Sequence, residues 1–298
     1  MGVMVEVFKM AFVLENDLVR LECTEKGGEI LHLYDKKKDA EIIYQGDEGW
    51  SGSNPSLFPM VGNTYSKKYT IHGKEYAMKN HGLIRYATLS GEQKENELVF
   101  TLKANEETLS QYPFHFCYEI HYALEGTKVT IHYVIKNEGD EEMPFSFGLH
   151  PGFVCPQKAG EKFEDYSVRF ELEEDAKQLL FDGSGKCSKP IEIVPVHLNE
   201  WKCSYEDVEK FATIIYQDFK SSYVTLDYKG TPRLKVSFAG YPYLALWTHG
   251  SRSNFICIEP WYGHADFDKS CDDFYKRQGT IVLDPAKSWE CEYSIELL

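Results

Sequence analysis

Three short stretches of this chain set ionisable side chains among apolar ones, and their residue types suit general acid–base work. They are Asn80-His81-Gly82-Leu83-Ile84-Arg85, Phe145 to Phe153 with His150 near its end, and Phe255-Ile256-Cys257-Ile258-Glu259-Pro260-Trp261. On an extended segment alternate side chains take opposite faces, so Glu259 shares a face with Cys257 and Phe255 while Ile256 and Ile258 take the other. Apolar residues on both faces mark a central strand that ends in a carboxylate. A buried carboxylate is costly unless it shifts its pKa or finds partners. That makes Glu259 a candidate general base. A strand-end Glu that reaches solvent or pairs with an Arg has the same sequence pattern.

In the second stretch Phe145, Phe147 and Leu149 fill one face, and Ser146, Gly148 and His150 lie on the other. Small residues leading up to a histidine leave room on that side, and Pro151 then ends the ladder. A strand built this way presents an imidazole to a cleft; a polar outer face with an exposed His fits the same alternation. His81, between Asn80 and Gly82, reads by itself as a turn histidine. Arg85 is a candidate clamp for an anion or hydroxyl, although a lone Arg is more often a surface residue.

Other chemistries find no pattern. His121 and His132 face each other across a hairpin, but no third ligand accompanies them and a metal site needs one. There is no His-Glu-x-x-His, no Gly-x-Ser-x-Gly elbow and no Gly-rich phosphate loop. Eight dispersed cysteines (Cys23, Cys117, Cys155, Cys187, Cys203, Cys257, Cys271, Cys291) contain no Cys-x-x-Cys. They read as small core residues of a reducing compartment. No metal and no cofactor is expected.

The elements that must position these residues are strands. Leu18 to Cys23 and Ile30 to Tyr34 alternate around Gly27-Gly28, and Phe116 to Leu124 and Val129 to Lys136 flank Gly126-Thr127. Further strands are expected at 97–103, 166–172, 223–227, 234–238, 243–248, 255–259, 280–283 and 292–297. Helix signals are few: Asn105 caps 106–111 ahead of Pro113, and Ser204 caps 205–211. No linker, repeat or low-complexity tract divides the chain. The spacing predicts an all-β protein, a large antiparallel β-sandwich or barrel, built as one domain over residues 1–298.

Composition limits the partners. Asp and Glu number 47 against 32 Lys and Arg, a formal charge of −15. Such a surface offers no basic footprint for nucleic acid or an anionic membrane, and no apolar run approaches a membrane span. Met1 to Leu14 carries Glu6 and Lys9 and lacks a basic start, so it does not read as a signal peptide. A cytoplasmic protein is expected.

Taken together and in order, several segments resemble the aldose 1-epimerase (galactose mutarotase) family, in its shorter bacterial LacX-like branch. The stretch Pro55-Ser56-Leu57-Phe58-Pro59-Met60-Val61-Gly62 looks like an early signature of that family. It is followed by His81-Gly82, by Phe114 after Gln111-Tyr112-Pro113, and by His150-Pro151-Gly152-Phe153. Gly240-Tyr241-Pro242-Tyr243 and Glu259-Pro260-Trp261 complete the set. Each tetrapeptide alone is weak, and six in order are specific. The resemblance runs from about Leu18 to the C-terminus and implies the galactose mutarotase-like supersandwich.

It also implies roles. Glu259 matches the family's general base, His150 its general acid, and His81 a second active-site histidine that binds sugar. Arg85 matches an arginine of the LacX-like and hexose-phosphate branches. Many members carry Arg directly after the early Gly; here that position is Asn63, which can bond hydroxyls without charge. The aspartate that longer members place on sugar hydroxyls has no motif match at Asp218 or Asp227. Trp247 and Trp261 offer flat apolar faces to sugar C–H groups, or serve as core aromatics.

The implied substrate is a small sugar, an aldohexose or hexose phosphate, whose anomers interconvert by acid–base ring opening. A nearby carboxylate is expected to hold His150 in its charged form. The pH profile is then a bell with Glu259 on the acidic limb and His150 on the basic limb. A carbohydrate-binding or regulatory protein that kept the cleft without turnover is the alternative. A sugar hydrolase or lyase would need two carboxylates across the bond, and only one stands in a motif.

Overall fold

The computed structural model describes residues 12–47, 49–180, 192–250, 252–266 and 272–298. Cys187 and Cys271 lie outside them. Antiparallel strands dominate, as the alternation predicts. Phe116–Glu125 and Lys128–Asn137 pair in full register around Gly126-Thr127. Gly126 alone of that turn has a positive φ, +57°, which is the II′ geometry that matches strand twist. Val19–Cys23 and Ile30–Asp35 also pair antiparallel, with a register shift between Glu22 and Cys23, and the turn between them holds Gly27 and Gly28 at φ +66° and +64°.

The largest sheet has 15 strands. From one edge its path runs Ser56–Leu57, Gly148–Leu149, Phe255–Trp261, Tyr243–Trp247, Ile214–Gln217 and Tyr166–Leu180. It continues through Tyr223–Tyr228, Thr231–Ser237, Ser288–Leu297, Lys128–Asn137, Phe116–Glu125, Leu98–Lys103 and Ser90–Gln93. The two ends of this path face each other across one core. Phe58 packs on Tyr118 at 5.3 Å between ring centroids and Phe147 on Tyr133 at 5.0 Å. Ile256 and Ile258 belong to that core with Phe145, Phe147 and Leu149. The sandwich therefore rests on aromatic contacts between strands far apart in sequence.

The two helices form where their caps predict. Glu106–Gln111 starts at a capping box, with Asn105 Oδ1 accepting from the Thr108 N–H. Tyr205–Phe211 starts at Ser204, whose Oγ accepts from the Asp207 N–H.

Several strands lie outside the expected set, among them Phe12–Glu15, Ser90–Gln93 and Ile214–Gln217, and two departures have a clear physical reason. The strand from Tyr166 runs on to Leu180 rather than ending at Leu172, through a register shift between Arg169 and Glu174. That shift turns Glu174 inward, where its carboxylate accepts from the Lys220 and Ser221 N–H groups and the Ser221 hydroxyl. An acidic run that ought to end a strand is thus satisfied inside it. Its partner Glu192–Lys202 was not expected at all. It is an exposed edge strand, and so it tolerates Pro195 and charged residues that would mark a loop elsewhere. Among the described residues no helix is long and apolar enough to cross a membrane.

Candidate active site

Strand register builds the centre of the site. Gly148 pairs with Trp261 and Gly152 with Cys257, so His150, midway between the glycines, comes opposite Glu259. The ladder breaks there: the His150 N–H turns outward to the Pro55 carbonyl and the Ile258 N–H donates to the Pro151 carbonyl. His150 Nε2 lies 3.4 Å from Glu259 Oε1. On the other flank Ala245 is the cross-strand neighbour of Glu259, and its single methyl leaves the carboxylate its space.

The glycines beside His150 do not leave an open volume, as the small residues had suggested. A Cβ on Gly148 would lie 2.6 Å from Trp261 Cδ1, and one on Gly152 would lie 2.7 Å from Trp50 Cζ3. Each glycine admits an indole against the strand, Trp261 at Gly148 and Trp50 at Gly152. Trp50 stacks on His150 at 4.9 Å and 28°, and Trp247 meets it edge-on at 5.4 Å. Tyr44, Phe255 and Cys257 continue the apolar shell. His150 is 8% exposed and Glu259 1%, which excludes the exposed-histidine pattern.

This shell sets the charges. Burial pushes the Glu259 carboxyl well above the carboxylate range, opposed by the Trp261 side chain and the Arg85 charge. Burial pushes the His150 imidazole well below its usual value, and His81 and Arg85 push the same way. The expectation that a neighbouring carboxylate keeps His150 charged is therefore corrected: desolvation outweighs the pairing. Both shifts favour the neutral forms, the carboxylic acid at Glu259 and the uncharged imidazole at His150. Glu259 Oε2 and His150 Nδ1 are buried without a protein hydrogen-bond partner.

His81 joins this pair. Its ring meets His150 edge-on at 5.5 Å, and its backbone sits at φ +67°, a left-handed conformation rare outside glycine and asparagine. Two bonds to Gly62 hold it: the His81 N–H donates to the Gly62 carbonyl, and Nδ1 accepts from the Gly62 N–H at 3.1 Å. With Nδ1 accepting, the neutral ring carries its proton on Nε2. Burial first, then Arg85, holds its pKa down to about 3. Arg85 lies on the 3-10 turn Ile84–Tyr86 anchored by buried Ile84. Its charge reaches His81, His150, Glu259 and Glu29.

Of the residues expected from sequence, Glu259, His150, His81 and Trp247 come together, and Arg85 acts on the same centre. Asn63 follows Gly62, but its side-chain oxygen accepts from the Thr64 N–H. Asp227 is committed to Arg169 at 2.7 Å and Thr225 at 2.6 Å, and Asp218 pairs with Lys177. Both aspartates thus have structural partners.

Sequence reasoning missed Trp50 and Glu29. Trp50 sits in an irregular stretch with no periodicity to flag it, although a Trp bracketed by Gly49 and Gly52 was a usable signal. Glu29 follows the Gly27-Gly28 turn; burial raises its carboxyl to about 7 against the pull of Asn54, Arg85 and Lys26. Nothing local marks it.

His121 and His132 do face each other, at 6.1 Å between rings, and each bonds carboxylates of the outer sheet face: Glu97 and Glu119 for His121, Glu290 for His132. Among the described residues the set whose donor atoms cluster as metal ligands would is instead His150, Cys257 and Glu259, all within 4.8 Å of one another. The centre can hold or move one proton between two buried groups, packed by indoles, beside a histidine and under the charge of Arg85.

Comparison with known proteins agrees with this fold. The LacX proteins of Lactococcus lactis subsp. lactis, plasmid and chromosomal, are 31% and 30% identical over 266 residues, covering 85% of this chain and 88% of theirs. A galactose mutarotase related enzyme from Lactobacillus acidophilus has a TM-score of 0.88 at 26% identity, covering 97% of both chains. A galactose mutarotase-like protein from Lactobacillus casei shares the fold, with a TM-score of 0.89 at 24% identity over 97% of this chain and 100% of that one. The family model for aldose 1-epimerase matches residues 10–295, and by that match over nearly its whole length the chain belongs to the aldose 1-epimerase family.

Proposed function

We propose that this chain is a mutarotase, a single-domain cytoplasmic enzyme that interconverts the α and β anomers of an aldohexose or hexose phosphate. The observation that carries this is the buried His150–Glu259 pair, 3.4 Å apart. A binding protein has no need of such a pair. The six described cysteines are free and buried, in keeping with a reducing compartment.

The reaction removes the proton of the anomeric hydroxyl and protonates the ring oxygen, which breaks the C1–O5 bond and leaves an aldehyde. Rotation about C1–C2 and reclosure give the other anomer, with both protons returned. Glu259 acts as the base once its proton has passed to His150, which then acts as the acid. Either position of that proton leaves the pair with no net charge, so burial does not oppose the one-proton state. Sugar hydroxyls at Glu259 Oε2 and the charge of Arg85 both favour the carboxylate form. His81 Nε2–H and Arg85 donate to sugar oxygens, Trp247 faces the C–H groups, and Asn63 supplies its amide.

The test is the rate of α-to-β exchange for a panel of free and 6-phosphorylated hexoses, followed by polarimetry or NMR. Exchange well above the spontaneous rate for at least one sugar is expected. Sugar binding with no acceleration would replace this reading with the carbohydrate-binding one.

Trp50 positions His150 in this scheme. Its ring contact is of the kind worth ~0.5–1.5 kcal/mol, and Trp50→Ala frees the imidazole to turn. The expected result is a fall in kcat of about tenfold with KM changed much less, and Trp50→Phe restoring most of it. A rise in KM alone would make Trp50 a sugar contact instead.

A further inference from the structure

The donor atoms at the floor of the site are a nitrogen, a sulfur and an oxygen on two adjacent strands. Cys257 and Glu259 stand two residues apart on the same face of Phe255–Trp261, and His150 approaches from the facing segment. We propose that His150, Cys257 and Glu259 form a binding site for Zn²⁺, and that the ion excludes sugar by occupying the same carboxylate and imidazole.

The geometry is close to what the ion needs. Tetrahedral zinc with bonds of ~2.0–2.3 Å sets its donors roughly 3.3–3.8 Å apart. His150 Nε2 and Glu259 Oε1 already stand at 3.4 Å. The full set lies within 4.8 Å, so the thiol has at most about 1.5 Å to close. Glu259 Oε2, buried without a partner, gives the carboxylate a second oxygen to offer. The mixed donor set suits zinc and selects against Mg²⁺ and Ca²⁺, which take oxygen ligands. The fourth position falls to water or a sugar hydroxyl.

Binding replaces the proton of the Cys257 thiol and that of Glu259, and releases both to solvent. Three features keep the ion exchangeable: this proton release, the nearby Arg85 charge, and His150 Nδ1, which has no acceptor behind it. The site is thus inhibitory rather than structural.

The experiment titrates the reduced, chelator-treated full chain with Co²⁺ as a spectroscopic probe. The expected result is a thiolate-to-cobalt charge-transfer band that Zn²⁺ displaces and galactose weakens, and that is lost in both Cys257→Ala and His150→Asn. Zinc should slow anomer exchange by the wild type. Cys257→Ala should need at least tenfold more zinc than the wild type for the same fractional inhibition, each measured against its own zinc-free rate. Cys257→Ser, nearly isosteric, replaces the alanine variant if that one fails to fold. No band in the wild type, or an undiminished band in the Cys257 variants, overturns the proposal; the latter would place the metal on other cysteines. The band is read without turnover, so a chain that binds cobalt as described but exchanges no anomers would sink the mutarotase reading and leave the metal site standing.

Discussion

Glu259→Gln is expected to lower the rate of anomer exchange by ~10²-fold or more, the low end of what a positioned acid or base contributes. The amide keeps the shape of the carboxylic acid but can neither pass its proton to His150 nor accept the anomeric one. His150→Asn should fall as far, because the remaining group is then a buried carboxylic acid with nowhere to send its proton. Sugar affinity should change much less, since binding is spread over Arg85, His81 and the indoles. Near-wild-type turnover by Glu259→Gln would reduce the glutamate to a structural strand-end residue.

The pH profile carries a sharper expectation than its bell shape. In the proposed mechanism the active centre holds one proton on the pair. Burial lowers the pKa of His150 and raises that of Glu259. On lowering the pH, the second proton therefore goes to His150, and activity is lost on the acidic side as the imidazole charges. On raising the pH, the remaining proton leaves Glu259, and activity is lost on the basic side. The limbs are thus reversed relative to the simple expectation of a carboxylate on the acidic limb. The ¹⁵N shifts of His150 in the sugar-free enzyme should report a neutral ring at pH 6, where an ordinary histidine is mostly charged. An imidazolium signal there would show that the carboxylate, and not burial, governs the pair.

The second large effect is on stability. Gly82→Ala is expected to cost about 3 kcal/mol, from ~1–2 kcal/mol for a left-handed L residue and ~1–3 kcal/mol for the overlap. Gly82 sits at φ +81°, and a Cβ there would lie 2.2 Å from the Phe58 carbonyl oxygen. That oxygen also accepts from the Leu83 N–H at 2.7 Å. Backbone cannot yield as a side-chain tip can, so the 80–83 turn must move and His81 with it. Gly126→Ala is the control: φ is +57° with nothing within 4 Å of the added methyl, and about 1 kcal/mol is expected. The measure is the urea midpoint at unchanged slope. Equal losses for the two variants would mean that the 80–83 turn relaxes freely.

Local order in the chain is legible wherever it depends only on near neighbours. The Gly126-Thr127 hairpin, the caps at Asn105 and Ser204, and the two faces of Phe255 to Glu259 follow from alternation and side-chain reach over a few residues. The same rule fails at Glu174 and at Glu192–Lys202. There, acidic and proline residues are acceptable only because Ser221 and an exposed sheet edge, both distant in sequence, receive them.

The candidate site divides along the same line. Residue types and alternation made Glu259 a candidate base and noted His150, His81 and Arg85 without separating them from turn or surface residues; the resemblance selected them and attached roles. Only the tertiary structure set His150 opposite Glu259, because register between strands is a relation between distant segments. Only it brought Trp50 onto the imidazole, from a stretch with no period of its own. It also decided that burial favours the neutral form of each group. Desolvation sums over the shell of Tyr44, Trp50, Trp247 and Phe255, drawn from separate parts of the chain, and no local pattern records that sum.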